Sequence, residues 1–214
     1  MDQERLRTLR TDYESAGLSR SDLTADPSAL FARWFSAALE AGLQEPHAFI
    51  LATAGGDARP SARTVLMRGS DQRGVVFYTN YESRKGSELA ENPRAAGVFL
   101  WLPLHRQVRV EGRVERVAAE QSDDYFHSRP PGSRLSAVVS PQSRTVPDRV
   151  WLEERMADLW ERHPDGDVPR PTGWGGYRIV ADCYEFWQGR PNRFHDRFEY
   201  RLIDGAWVAE RLAP

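Results

Sequence analysis

Between residues 107 and 117 the side chains almost alternate in polarity: Val108, Val110, Gly112, Val114 and Val117 interleave with Arg109, Glu111, Arg113, Glu115 and Arg116. A period near two predicts a strand with one buried and one wet face. Apolar runs at 47–54, 62–67, 74–79 and 95–101 predict further strands, with turns at Gly55-Gly56-Asp57 and Gly69-Ser70-Asp71. The period shifts toward 3.6 after Asp26-Pro27, where Leu30, Phe31, Trp34, Phe35, Ala38 and Leu39 form one face. That face predicts a helix with an Asp cap, a first-turn proline and an end at Gly42. Shorter helices are expected at 83–91, closed by Asn92-Pro93, and at 119–127, followed by a Pro-Pro-Gly turn at 130–132. A charged amphipathic helix is expected at 147–163, with Pro147 in its first turn and Val150, Leu152, Met156, Leu159 and Trp160 as its apolar positions. A Pro- and Gly-rich loop over 164–174 then leads to strands at 177–180, 183–187, 196–202 and 207–212.

Many short strands with few helices predict a mainly β fold, a small barrel with peripheral helices. A doubly wound α/β sheet is not expected, because strands and helices do not alternate and no Gly-x-Gly-x-x-Gly or P-loop motif is present. Residues 1–24 are polar and read, by composition, as a solvated tail.

Charge narrows the partners. The net charge of −2 over 214 residues gives no long-range pull toward nucleic acid or an anionic membrane, and neither is expected as a partner. Local basic clusters in a near-neutral chain point instead to a small anionic ligand. The single cysteine, Cys183, excludes an intrachain disulfide and fits a reducing cytoplasm. The first residues lack a basic-then-apolar leader pattern, and no apolar run is long enough to span a membrane. The five histidines form no metal-ligand spacing, so no metal is expected.

The chemistry is concentrated in a few segments. Residues 185–197 hold Arg190, Arg193, Arg197, His195, two acids and the aromatics Phe186, Trp187 and Phe194. Aromatic and cationic groups this close can stack on a flat ring and grip its anionic edges. Arg63 and Arg68 end a strand but lie five apart, so they face opposite sides unless a bulge intervenes; two solvated arginines are the plain alternative. The strand end Phe77-Tyr78-Thr79-Asn80 with Ser83, Arg84 and Lys85 could bind phosphate, or could be ordinary helix capping beside surface cations. Tyr125, Arg129 and Ser133, spaced by four, can all donate to phosphate oxygens. Gln107, Gln142 and Ser143 add amides and a hydroxyl for a heterocycle edge.

Several segments in this order resemble the pyridoxine/pyridoxamine 5′-phosphate oxidase family. They are Phe77–Asn80 with Ser83-Arg84-Lys85, the run 125–130, Trp174-Gly175-Gly176, Glu185-Phe186-Trp187-Gln188 and the run 193–197. The resemblance implies an FMN-binding split β-barrel over 25–214, preceded by a mobile segment over 1–24. It also implies a homodimer with FMN at the interface. The cofactor site would take Arg63, Thr64, Val65, Leu66, Met67, Arg68, Tyr78, Thr79, Arg84, Lys85, Gln107, Gln142, Ser143, Trp187 and Arg197. Substrate would meet Arg10, Tyr13, Arg68, Tyr125, Arg129 and Ser133, with Arg193 and His195 over the reacting ring as catalytic residues. The implied reaction oxidises pyridoxamine and pyridoxine 5′-phosphates to pyridoxal 5′-phosphate with oxygen, giving hydrogen peroxide. The family usually has lysine where Arg68 stands and a second arginine where Thr11 stands. Rival readings are a flavin oxidase for another ring, a split-barrel reductase and a non-enzymatic flavin- or pyridoxal-phosphate-binding protein.

Overall fold

The computed structural model describes residues 17–214. Its first helix, α1 (Pro27–Glu40), starts where the sequence places it: the Asp26 carboxylate accepts the Ser28 N–H at 2.8 Å and Pro27 occupies the first turn. It buries Leu30, Phe31, Trp34 and Ala38 and gives way to Gly42 at φ +66°. Among the described residues, nine strands follow the expected mainly β plan. They are β1 (Ala48–Ala54), β2 (Pro60–Leu66), β3 (Gly69–Asp71), β4 (Gly74–Asn80), β5 (Arg94–Trp101), β6 (Arg106–Arg116), β7 (Trp174–Gln188), β8 (Asp196–Ile203) and β9 (Ala206–Leu212). Their order is β2-β1-β5-β6-β7-β4-β3, with β8 pairing β7 and β9 pairing β8. The helices are α2 (Arg84–Glu91), α3 (Ala119–Ser128), α4 (Pro131–Val139) and α5 (Arg149–Arg162). No helix of the described residues is long and apolar enough to cross a membrane.

Four local expectations are corrected. Gly69–Asp71 is a strand rather than a turn, because the Asp71 side chain accepts the Arg73 N–H and moves the reversal to residues 72–73. The Pro-Pro-Gly segment begins a helix: Pro130 caps α4 and Pro131 fills its first position, where no N–H is needed. Asp148 caps α5 by accepting the Trp151 N–H, so Pro147 stands before the cap. The strands expected at 177–180 and 183–187 are one strand, β7. Polar Asp182 interrupts the apolar pattern but not the backbone, which pairs with β4 over 174–180 and with β8 over 183–188.

The described residues form two compact units, to which β5, β6 and β7 each contribute. One unit comprises 17–46, 98–110 and 182–214. Its core is aromatic: Phe31 meets Phe99 edge-on at 5.0 Å and Trp34 meets Phe186 edge-on at 5.4 Å. The end of the supposed tail is tied to this unit. Leu18 is buried, its N–H donates to Asp196, and the Tyr200 hydroxyl bonds the backbone of Thr24.

The second unit comprises 47–97 and 111–181. Phe49, Phe77 and Tyr177 pack beneath its strands. Phe126, Leu135, Leu159, Val168 and Trp174 form a separate apolar cluster. Gly176 on β7 lets the Tyr78 ring lie against the strand, since a Cβ there would sit 2.8 Å from that ring and 2.6 Å from Val117. Gly176→Ala is therefore expected to destabilise the fold by about 1–3 kcal/mol through overpacking. Urea unfolding checks this; an unchanged midpoint would show that the strand has room to spare.

Candidate active site

A cavity of about 360 Å³ opens in the second unit, within the range of small-molecule sites. Strand β2 lines it with Thr64, Val65 and Leu66, and Arg68 stands just past the strand end. Strand β4 adds Tyr78 and Thr79, α2 adds Lys85, α3 adds Tyr125, the link into α4 adds Arg129 and Pro130, and α4 itself adds Ser133. Gln142 and Trp174 complete the lining. Eleven of the expected site residues thus share one cavity, although they come from segments far apart in sequence. Pro130 and Trp174 were not among the expected site residues.

The cations around this cavity divide by partner. Arg63 and Arg84 both bind the Glu88 carboxylate, at 3.2 and 2.9 Å, and Thr53 and Ser61 donate hydroxyls to it. Burial alone would raise the Glu88 pKa, but these hydrogen bonds hold it down at about 2. Arg63 also donates to the Thr53 and Ser61 hydroxyls and does not line the cavity. The sequence left open whether Arg63 and Arg68 serve one ligand. Arg63 turns to Glu88, whereas the Arg68 guanidinium lies 6.0 Å from the Tyr125 ring centre. Sequence reasoning missed Glu88; its i,i+4 spacing from Arg84 was the available signal.

Lys85 is buried, and its ammonium hydrogen-bonds the neutral oxygens of Thr79 and Gln142, both at 3.2 Å. Burial first, and then the charge of Arg63, lower its pKa to about 8, against a smaller upward pull from Glu88. Arg129 packs over Trp174, 4.9 Å from the ring centre, and its Nη1 is buried with no hydrogen-bond partner. Tyr78 and Tyr125 stack at 4.0 Å, and Trp174 lies nearly parallel to both. Met67 is buried, and neither it, Arg84 nor Ser143 lines the cavity.

The remaining expected residues belong to the first unit. Arg193 has φ +61° and follows Asn192 at φ +57°, in a short turn between β7 and β8. Two consecutive left-handed residues other than glycine are costly and mark a constrained site. The His195 ring centre lies 4.6 Å from that of Trp187, and its Nδ1 accepts the Arg190 N–H at 3.1 Å. Accepting at Nδ1 assigns the proton of neutral His195 to Nε2. Burial and the Arg193 charge lower its pKa, which favours that neutral form. Arg197 binds buried Glu185 at 2.8 Å and the Ala213 carbonyl at 2.8 Å, while Arg109 takes the other Glu185 oxygen at 2.9 Å. Gln107 lies on β6 in the same unit. Arg10 and Tyr13 lie outside the described residues.

Residues 35–163 match the family model of pyridoxamine 5′-phosphate oxidase, and residues 174–214 match that of the pyridoxine 5′-phosphate oxidase C-terminal dimerisation region. The chain is 54% identical to the pyridoxine/pyridoxamine 5′-phosphate oxidase of Salinibacter ruber, over 98% of this chain and 99% of that one. The same enzyme of Cupriavidus pinatubonensis is also 54% identical, with the same coverage. Among solved structures, PhzG from Burkholderia lata 383, crystallised with tetrahydrophenazine-1-carboxylic acid, aligns with a TM-score of 0.88 and 31% identity, covering 93% of this chain and 98% of that one. An FMN-binding protein from Nostoc punctiforme shares the fold at a TM-score of 0.71 and 16% identity, covering 90% of this chain and 100% of that one. The chain is a split β-barrel oxidoreductase that belongs to the pyridoxamine 5′-phosphate oxidase family, membership of which implies FMN as cofactor.

Proposed function

We propose that this protein oxidises pyridoxamine 5′-phosphate and pyridoxine 5′-phosphate to pyridoxal 5′-phosphate, with FMN as cofactor and oxygen as electron acceptor. The observation that carries this reading is the cavity where Arg68, Arg129, Tyr125 and Ser133 converge. Among the described residues no carboxylate pairs with either arginine, and a buried N–H of Arg129 lacks a partner. An anionic oxygen satisfies both conditions, and a substrate phosphate supplies it. The neighbouring donors fit the cofactor. Lys85 meets neutral oxygens rather than a carboxylate, beside the Thr79 hydroxyl and the Gln142 amide. Such a set suits a phosphate and a heterocycle edge. A phenazine-ring oxidase is the weaker reading, because the relatives at 54% identity carry the pyridoxine/pyridoxamine 5′-phosphate oxidase name and PhzG matches at 31%.

In this reading Arg84 and Lys85 hold the cofactor phosphate, with Arg63 behind them through Glu88. The Thr64 to Leu66 edge, Tyr78, Thr79, Gln142 and Ser143 flank the flavin. Gln107, Trp187 and Arg197 complete the cofactor site, and Arg193 and His195 cover the reacting carbon. These five sit in the other unit, and Trp187, Arg193, His195 and Arg197 fall in the segment matched as a dimerisation region. We therefore place the complete site in a homodimer, with FMN at the interface. The lone, buried Cys183 suits a reducing cytoplasm.

When bound, the flavin supplies the two-electron chemistry, accepting the hydride lost from C4′ and returning the electrons to oxygen as hydrogen peroxide. The protein supplies placement. Arg68, Arg129, Tyr125 and Ser133 anchor the phosphate and so fix where C4′ lies in the cavity. Arg193 guides the C4′ substituent, and the Nε2–H of His195 orients it without adding a second positive charge beside Arg193. Water hydrolyses the imine from the amine substrate to aldehyde and ammonia, whereas the alcohol gives the aldehyde directly.

Anaerobic mixing of FMN-loaded protein with either substrate should bleach the flavin band, and admitting air should restore it with pyridoxal 5′-phosphate formed. Tight FMN binding without bleaching by either substrate would overturn the reading. The Lys85 ammonium, with its pKa lowered to about 8, gives a pH signature. Only its protonated form attracts phosphate, so FMN affinity should hold below that pH and fall above it, by up to about tenfold per unit. Fluorescence-quenching titrations between about pH 6 and 10 check this on wild type and on Lys85→Met. A wild-type affinity that stays flat across the range would remove Lys85 from the phosphate site.

A further inference from the structure

Arg129 is held by rings and not by an acid. Other half-buried arginines lean on carboxylates, Arg63 on Glu88, Arg197 on Glu185 and Arg170 on Asp123, while Arg106 lies 4.4 Å from the Trp34 ring centre and donates to the neutral Gln188 oxygen. Arg129 lies against aromatic faces, 4.9 Å from the centre of Trp174 and 5.8 Å from that of Phe126. A carboxylate in that place would fix the guanidinium but cancel the charge that a phosphate needs. A ring face attracts the cation through its quadrupole and leaves the N–H groups and the full charge available.

Trp174 is itself tightly placed. It begins β7 opposite Asn80 of β4, and its N–H donates to the Pro171 carbonyl. Its carbonyl accepts from Arg170 at 2.6 Å, and Arg170 also binds Asp123 on α3, the helix that carries Tyr125 and ends at Arg129. The indole packs edge-on against Phe126 of the same helix at 5.3 Å. Backbone and ring are thus both tied to the helix whose end they serve.

From this geometry we propose that Trp174 is the positioning residue for substrate phosphate: its indole face aims the Arg129 guanidinium into the cavity while leaving it un-neutralised. The proposal rests on the reading of the cavity as the substrate-phosphate site.

The test uses FMN-loaded protein and three variants, Trp174→Met, Trp174→Phe and Arg129→Ala, assayed with pyridoxamine 5′-phosphate and with unphosphorylated pyridoxamine. Methionine keeps apolar bulk but removes the ring face; phenylalanine restores a smaller one. Trp174→Met should raise KM for the phosphorylated substrate about tenfold with kcat within about threefold, as expected for loss of a desolvated cation–ring contact. Trp174→Phe should recover most of that loss but keep about a threefold rise. Both should lower kcat/KM more for pyridoxamine 5′-phosphate than for pyridoxamine, and FMN retention should stay at the wild-type level.

A rise in KM for Arg129→Ala but not for Trp174→Met would overturn the role of Trp174 and leave the phosphate site standing. Unchanged KM for Arg129→Ala would remove the phosphate site and this role with it. Equal losses on both substrates, or parallel loss of FMN, would reduce Trp174 to a structural residue. Should Trp174→Met not be recovered folded, Trp174→Phe decides, since an unchanged KM there contradicts the proposal.

Discussion

Two buried carboxylates impose the charge arrangement on which the site depends. Glu88 takes Arg63 and Arg84, and Glu185 takes Arg109 and Arg197. Each acid is desolvated, so it is stable only while guanidiniums and hydroxyls saturate its oxygens. That requirement fixes the arginines in return. It holds the strand β2 side chain of Arg63 against helix α2, and β6 to β8 through Glu185. Among the described residues, the two arginines that line the cavity with Lys85, Arg68 and Arg129, have no acid partner. In a chain with a net charge of −2, the proposed anion binding would therefore come from how acids are withheld locally and not from bulk charge.

Aromatic packing then does what acids could not do beside the proposed phosphate. Tyr78, Tyr125 and Trp174 lie nearly parallel, and the glycines at 175 and 176 leave space for Tyr81 and Tyr78 against β7. The cavity wall is rigid without being negative. The same device recurs less completely in the other unit, where the His195 ring lies beside Trp187 and its tautomer is set by a backbone N–H.

Much of this was legible in the sequence, for identifiable reasons. The Asp26-Pro27 start of α1 and the near-alternation in β6 are local signals, and local physics decides them. The spacing of Tyr125, Arg129 and Ser133 singled out three donors across a helix end and the segment after it, and they do share a cavity. The break expected within β7 failed because strand continuity depends on β4 and β8, partners distant in sequence. The Pro-Pro-Gly reading failed because the same residues suit a turn and a helix start. Glu88 escaped notice, and Trp174, quoted with its two glycines only as part of the resemblance, received no site role, for a related reason: neither has chemistry until the fold supplies its arginine.

The most direct test of this division of cations is the crystal structure of the FMN-loaded protein with pyridoxal 5′-phosphate bound. The charge arrangement predicts two separate phosphates. One should lie on Arg68, Arg129, Tyr125 and Ser133, and the other beside Arg84 and Lys85, with Glu88 still bound by Arg63. A product phosphate away from Arg129, or a Glu88 carboxylate released by Arg63 on loading, would contradict it.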